Sequence, residues 1–206
     1  RPIYFNNTSK QGIRFNVDRY LVQEGNAFRL LPVTDLNNPG MLIDTDIMYN
    51  NLMNNFYYRE LNNPKVYYNE DYRKFVLNHR VNFNALAVAL LREGKEEKAR
   101  EVVLKGLELM PDASLPFDYT TATTIEYLFL LGEKEKALEL ATILGNRADE
   151  KLSYYIENNN NLGYELQSNL VILRELAQTL NRYGELELSE KFADALDSHY
   201  QAIQIL

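Results

Sequence analysis

The chain contains no cysteine, and this absence removes several kinds of chemistry at once. Disulfide bonds, thiolate metal ligands and cysteine nucleophiles are excluded, because each of them requires a thiol. Tryptophan is also absent, and there are only two histidines. His79 and His199 have no second histidine at a metal-ligating spacing, so we interpret each as a surface or hydrogen-bonded side chain. The sequence therefore predicts neither a metal site nor a cofactor.

Three further patterns are missing. No apolar run approaches the roughly 20 residues that a membrane-spanning helix needs. The nine glycines are scattered, and they form neither a Gly-x-Ser-x-Gly turn nor a glycine-rich phosphate loop. Lysine and arginine are interleaved with glutamate and the net charge is −7, so a phosphate backbone should be repelled. We therefore predict no catalytic residue, no direct membrane span and no nucleic-acid partner for this chain.

What is present is an ordinary globular composition. Of the 206 residues, 46% are hydrophobic and 25% are charged, which is enough apolar material for one sizeable domain or two small ones. The pattern divides the chain into three predicted parts. Residues 1–40 form a short β-rich N-terminal segment, residues 41–70 a helix with a connecting loop, and residues 71–206 a set of helical repeats.

The N-terminal part combines short β-prone runs with turn residues. We predict two or three strands from the β-prone runs at 3–5, 13–17 and 27–33, with a helical turn around 18–23. Further along, Asp44 or Thr45 should cap a helix, and Asn69 should cap the first helix of the repeats. Glu70 and Asp71 follow Asn69 in the favourable first turn of that helix.

Self-similarity is the most informative feature of the sequence. The segment around Gly94 closely matches that around Gly132, 38 residues later, and a third version follows around Gly184. Each unit has small residues where two antiparallel helices must approach and a glycine where the chain must turn. The residues that define the pattern are Ala87, Gly94, Ala99, Pro111, Gly132, Ala137 and Gly184.

This pattern resembles tetratricopeptide repeats, whose period is roughly 34 residues. The resemblance covers roughly residues 75–206 and implies a mainly α fold, in which helical hairpins stack as an α–α superhelix after a small β-containing segment. The second unit lacks the terminal proline, and the third has Ser189 where alanine is usual. An asparagine-rich insertion at 158–163 should be a loop between the second and third units.

The chain as a whole is also similar to the C-terminal soluble region of a bacterial family of multi-pass membrane proteins. That family resembles protein O-mannosyltransferases and has no assigned function. The residues that carry the similarity lie at 1–5, 24–32, 46–53 and 80–87. The resemblance implies a domain on the periplasmic face, tethered to the inner membrane through an upstream region. The family's presumed catalytic residues would lie in that upstream region, so none transfers to this chain.

Clusters of tyrosine provide the candidate binding residues. Tyr57, Tyr58 and Arg59 precede a turn, and Tyr67 and Tyr68 follow it. Tyrosine combines an apolar ring with a polar hydroxyl, which suits the binding of peptides or sugars. The alternative is packing between helices, with one ring of each pair directed inward and the other outward.

Two functions remain open. The first is a non-catalytic interaction or scaffold domain that binds a protein or peptide, including the upstream membrane domain as a possible partner. The parent protein could then be a glycosyltransferase. The second is a glycan-binding or hydrolytic domain that uses Asp44, Asp46 and the nearby tyrosines. Helix capping and first-turn placement offer a simpler explanation of Asp44 and Asp46, as of Glu70 and Asp71.

Overall fold

A computed structural model describes residues 1–6, 17–32, 42–158 and 163–205. The chain divides into two compact units, Arg1–Pro116 and Phe117–Leu206. The first unit combines a small sheet with helices, and the second has helices and no strand among its described residues. The predicted fold class is confirmed, because the protein is mainly α with helical hairpins and a small N-terminal β segment.

The sheet of the first unit has four short strands: β1 Tyr4–Asn6, β2 Leu21–Gln23, β3 Ala27–Leu30 and β4 Leu42–Ile43. Their order is β1-β3-β2-β4. β3 pairs antiparallel with β1 and β2, whereas β2 and β4 are parallel. Leu21 and Phe28 are buried and anchor the sheet on the core.

The sequence located some of these strands better than others. β1 and β3 lie within or beside predicted strands, although β3 ends at Leu30 rather than Val33. The predicted helical turn at 18–23 was wrong in its second half, where β2 pairs with β3 through residues 21–23. A 3₁₀ turn occupies Asp18–Tyr20. The predicted strand at 13–17 lies almost wholly outside the described residues.

Amide side chains connect the sheet to the helices of the first unit. Gln23 Nε2 donates to Asn82 Oδ1 at 2.9 Å, and Asn82 Nδ2 donates to Asn26 Oδ1 at 2.6 Å. Asn51 Nδ2 donates to the backbone oxygen of Glu24 at 2.6 Å. Because Gln23 and Asn82 are buried, these bonds satisfy groups that would otherwise be costly to desolvate.

The first unit has one short helix and one hairpin. Helix α1, Thr45–Asn50, continues as a π-helical turn, Asn51–Asn55; α2, Glu70–Arg92, and α3, Glu96–Leu109, form the hairpin. The predicted caps are confirmed. The Asp44 side chain accepts from the Ile47 N–H at 2.9 Å, and the Asn69 side chain accepts from the Tyr72 N–H at 3.0 Å.

The second unit contains two hairpins. Helices α4, Tyr119–Leu130, and α5, Lys134–Glu157, form one, and α6, Gly163–Arg182, and α7, Leu186–Ile205, form the other. Of the loop predicted at 158–163, residues 159–162 lie outside the described residues; Asn158 follows the end of α5, and the prediction was wrong at Gly163, which begins α6. In the described part of the chain, no helix combines the length and the apolar content that crossing a lipid bilayer requires.

All three hairpins close through the same backbone geometry. Gly94, Gly132 and Gly184 have φ values of 72°, 78° and 79°, in the left-handed region that favours glycine. In the first turn, the Gly94 N–H donates to Leu91 O and the next N–H donates to Leu90 O. The other two turns repeat this pair of bonds, which defines a Schellman motif.

Small residues face each other beyond these turns. Ala99, Ala137 and Ser189 each stand five residues after the turn glycine, and all three are buried. Ser189 differs from alanine for a visible reason: its Oγ donates to the backbone oxygen of Ala177 on the facing helix at 2.8 Å. The hydroxyl is therefore satisfied inside the hairpin, and the departure from the usual alanine preserves close packing.

In the first unit, the buried side chain of Arg80 on α2 bonds to the chain that follows α3. Its guanidinium donates to the backbone oxygens of Met110 at 3.2 Å, Leu115 at 2.5 Å and Pro116 at 3.0 Å. Helix α3 ends at Leu109, two residues before Pro111, as predicted from that proline. Arg80 thus supplies donors to the carbonyls that follow the end of the helix.

Candidate binding groove

Helices α4 and α6 are the first helices of the two hairpins in the second unit, and they pack side by side. Tyr119 and Tyr164 interact at the N-terminal ends of the two helices, and Phe129 stacks on Tyr183 at the C-terminal ends, so α4 and α6 run in the same direction. α4 begins at a firm cap, because Asp118 Oδ1 accepts from the Thr120 N–H at 2.8 Å and from its hydroxyl at 2.5 Å. Regular helices on both sides therefore hold the surface between them.

A groove with a cavity of about 230 Å³ lies between these two helices. Aliphatic and hydroxyl-bearing side chains form most of its walls, together with two carboxylates. The lining residues are Tyr119, Ala122, Thr123 and Glu126 from α4, and Val171, Ile172, Glu175 and Thr179 from α6. The cavity is smaller than the roughly 300 Å³ or more typical of pockets for drug-sized ligands, so its size suits a side chain of a larger partner.

Two tyrosines meet at the N-terminal end of the groove. The hydroxyl of Tyr164, at the start of α6, interacts with that of Tyr119 at the start of α4. Burial raises the pKa of Tyr119, and the nearby Tyr164 and Asp118 raise it further. Tyr119 is 40% exposed and Tyr164 is 70% exposed, so this end presents aromatic faces to solvent.

An ion pair and a ring stack mark the other end. Arg182 on α6 bonds to Glu126 on α4, and the rings of Phe129 and Tyr183 stack with centroids 4.6 Å apart. Burial raises the pKa of Tyr183, and Glu126 contributes to the same shift. These contacts fix the spacing of α4 and α6 beyond the cavity.

The two lining carboxylates differ in their surroundings. Glu126 is ion-paired with Arg182, whereas Glu175 is about half exposed and its Oε1 lies 4.0 Å from Arg174 Nε. An interaction at that distance between exposed groups is weak. Glu175 is therefore the lining carboxylate that a bound cation can reach at low cost.

The net charge of the protein resides almost entirely on the second unit. Residues 117–206 contain 15 acidic and 7 basic residues, a balance of −8. Residues 1–116 contain 14 acidic and 15 basic residues, a balance of +1. The groove thus lies on the strongly acidic part of the molecule, where the surrounding field favours cations.

The tyrosines predicted to bind lie in the first unit, between the π-helical turn and α2. Tyr57 is 87% exposed and Tyr67 is 83% exposed. Tyr58 points inward, where its hydroxyl donates to Leu52 O at 3.1 Å and its ring contacts His79 and Phe83. Arg59 is exposed and Tyr68 is half-buried. A binding role for these five residues stays a prediction.

The predicted carboxylates have structural partners. Asp44 caps α1, and Asp46 Oδ1 lies 3.4 Å from the Nζ atoms of both Lys95 and Lys98. These ion pairs lower the pKa of Asp46, with the Lys95 hydrogen bond as the largest cause. Both acids thus stabilise the start of α1 and its attachment to the α2–α3 hairpin.

The two histidines differ from each other. His199 Nε2 lies 2.6 Å from Asp149 Oδ1, which confirms the hydrogen-bonded interpretation for that residue. His79 is half-buried, and its Nδ1 has no hydrogen-bond partner among the described residues. Its ring instead packs edge-on against Tyr58 at 5.7 Å, and burial lowers its pKa.

Sequence reasoning missed the groove, although a signal was present. Val81, Tyr119 and Val171 each stand 13 residues before a turn glycine, and they are 43%, 40% and 37% exposed. A large apolar residue at the same exposed register of three first helices is not needed for packing within a hairpin. Counting back from the turn glycines would have found these exposed apolar positions.

Comparisons of the chain with protein-family models, with curated proteins and with solved structures found no match. The arguments for function therefore come from the groove itself and from the resemblances in the sequence.

Proposed function

We propose that this protein is a non-catalytic interaction domain, or scaffold, whose groove between α4 and α6 binds a segment of another polypeptide. The observation that carries the proposal is the groove lining. Exposed Tyr119 and Val171 flank a cavity sized for a side chain, and both stand on helices fixed by their hairpins. Rigid walls with apolar and hydroxyl groups suit an extended peptide, because little ordering is needed on the protein's side.

The chemistry of the lining supports binding rather than turnover. Tyrosine, threonine and aliphatic side chains supply contact area and hydrogen bonds without a nucleophile–base pair. Of the two carboxylates, Glu126 is held by Arg182, and that ion pair also ties α4 to α6. The groove therefore has side chains that would recognise a ligand, and its carboxylate Glu126 has a structural role in the ion pair with Arg182.

The setting we propose is the periplasmic face of the inner membrane, as the C-terminal part of a membrane glycosyltransferase-like protein. The sequence resemblance at 1–5, 24–32, 46–53 and 80–87 supports this setting. In that position, the groove would hold an acceptor polypeptide or a neighbouring subunit. The absence of cysteine allows a direct test, since Ser198→Cys introduces a unique thiol at an exposed position of this chain.

The setting is tested with the intact gene product in whole cells treated with a membrane-impermeant maleimide. The proposal predicts labelling of the Ser198→Cys protein before lysis, above that of the same protein without the substitution, once the outer membrane is permeabilised. Labelling only after lysis of the inner membrane would place the domain in the cytoplasm and overturn this setting.

The binding function is tested by selecting peptides from a random library on the purified chain. Thr123→Trp fills the groove, because Thr123 is an exposed lining residue. Ser198→Trp is the matched control, since it adds the same ring at an exposed site of α7. We expect Thr123→Trp to weaken the selected peptides by about tenfold or more, as expected for loss of a central contact.

Two results would contradict the proposal. One is a library that yields no peptide with measurable affinity. The other is equal binding by the two tryptophan variants, which would place the peptide site elsewhere on the protein.

A further inference from the structure

We infer that the α4–α6 groove selects a basic segment, in which a lysine or arginine side chain enters the cavity and meets Glu175. This inference rests on the proposed function and adds the chemistry of the partner. It is carried by the charges of the second unit, by the unequal partners of the two lining carboxylates and by the tyrosines at one end of the groove.

The first step concerns long-range charge. With a balance of −8 on residues 117–206, the second unit attracts cationic segments and repels acidic ones. The first unit, at +1, has no comparable preference. The sign of the field therefore distinguishes the groove from the rest of the protein, and basic partners should associate faster with it than neutral ones.

The second step concerns the charges that line the cavity. Arg182 is bonded to Glu126, whereas Arg174 Nε lies 4.0 Å from Glu175 Oε1 and both of these groups are about half exposed. A pair at that distance between exposed groups is weak, so Glu175 is the lining carboxylate whose charge is least compensated. A lysine or arginine from the partner would balance this charge without breaking the Glu126–Arg182 pair that holds the helices.

The third step concerns shape and aromatic groups. The cavity of about 230 Å³ has the scale of one long side chain rather than a whole ligand. The stem of a lysine or arginine is apolar, and Ala122, Val171 and Ile172 offer it an apolar wall. Tyr119 and Tyr164 present ring faces to which a second cation can bind.

The experiment measures three unlabelled nonapeptides by calorimetry against the full chain: (Ala-Lys-Leu)₃, (Ala-Gln-Leu)₃ and (Ala-Glu-Leu)₃. We expect the lysine peptide to bind about tenfold or more tighter than the glutamine peptide, and the glutamate peptide to bind weakest. The affinity of the lysine peptide should fall several-fold when the salt concentration rises from about 0.05 M to about 0.3 M, because the Debye length shortens.

Two variants with the same change of charge localise the effect. Glu175→Gln removes the lining carboxylate, whereas Glu150→Gln removes an exposed acid of α5 that does not line the groove. We expect Glu175→Gln to lower the affinity for the lysine peptide by about three- to tenfold, and Glu150→Gln to lower it by less than about twofold.

The inference is overturned if the three peptides bind equally, if the lysine peptide does not bind at millimolar concentration, or if the two glutamine variants behave alike. None of these results removes the proposed function, which fails only if library peptides are absent or are indifferent to Thr123→Trp. The two failures can therefore be told apart.

Discussion

The two units of this protein join their secondary-structure elements through different kinds of contact. The first unit joins a sheet to one hairpin through buried polar side chains, including Gln23, Asn82 and Arg80. The second joins two hairpins through repeated small residues and through one large side chain. This is the buried ring of Phe192 on α7, which packs against Gly145 on α5. Polar groups specify the first core by hydrogen-bond geometry, whereas the second is specified by fit.

The surfaces differ in the same way. The first unit is nearly neutral, and its carboxylates are used in caps and local ion pairs such as Asp46 with Lys95. The second unit has an excess of acids beyond those that pair, together with a groove of defined lining. An excess of one sign of charge costs stability through repulsion, and this cost falls on the second unit alone.

The largest expected effect breaks the polar core of the first unit. Arg80→Met keeps an apolar stem but leaves the carbonyls of Met110, Leu115 and Pro116 without their charged donor. We expect the free energy of unfolding of this unit to fall by about 3 kcal/mol. Urea denaturation with hydrogen exchange resolved by unit measures it. Arg73→Met, an exposed change on the same helix, should cost less than about 0.5 kcal/mol, and equal losses would refute the role of Arg80.

The next effect breaks the fit in the second unit. A Cβ at Gly145 would overlap the buried ring of Phe192, whereas a Cβ at Gly106 would lie 3.2 Å from Phe83 Cγ. We expect Gly145→Ala to destabilise its unit by about 1–3 kcal/mol. Gly106→Ala stabilises the helix by up to about 1 kcal/mol through higher helix propensity, and the tight contact with Phe83 opposes this gain. Its net effect on stability should therefore be small. Thermal unfolding of the two variants compares them, and a harmless Gly145→Ala would contradict the packing described here.

A smaller effect should be shared by both units, because their hairpins turn alike. Gly94→Ala, Gly132→Ala and Gly184→Ala force alanine into positive φ, at a cost of about 1 kcal/mol each. The space around all three glycines is open, so this cost is purely conformational. Gly163→Ala is the control, since Gly163 also has open space but belongs to helix α6. If denaturation midpoints of the control and the three variants coincide, the shared turn geometry is wrong.

The smallest effect is a pH dependence confined to the first unit. Burial lowers the pKa of His79, so the unfolded chain takes up a proton more readily than the folded one. The stability due to neutral His79 is complete above the unfolded pKa of about 6.5 and falls as the pH drops from there towards the folded pKa. His79→Phe should make the free energy of unfolding depend less steeply on pH between about pH 5 and 7. An unchanged slope in that variant would show that His79 does not titrate with unfolding.

Local signals in the sequence were sufficient for the hairpins and caps. Gly94, Gly132 and Gly184 have a positive φ that favours glycine, and Asp44 and Asn69 each accept from an N–H group three residues later. β2 was missed because a strand of three residues is defined by its pairing with β3 and with the more distant β4 rather than by its own composition. Spacing along the chain could not show that Gly145 receives Phe192, since that contact joins two hairpins.

The groove was missed for a related reason. Tyr119 and Val171 read as ordinary members of apolar helices, and only the pairing of α4 with α6 shows that they flank one cavity. The tyrosines at 57–58 and at 67–68 are adjacent in sequence, but adjacency along the chain does not by itself place side chains on one surface. Exposure at a repeated register is a better guide to such a surface than clustering along the chain.

The most direct test of this account is amide chemical-shift mapping of the full chain with (Ala-Lys-Leu)₃. We predict that the perturbed amides belong to 119–126 and 164–182, and that they lose their perturbation in Thr123→Trp. Perturbations centred on Tyr57 to Tyr68 in the first unit, and unchanged in Thr123→Trp, would contradict the account.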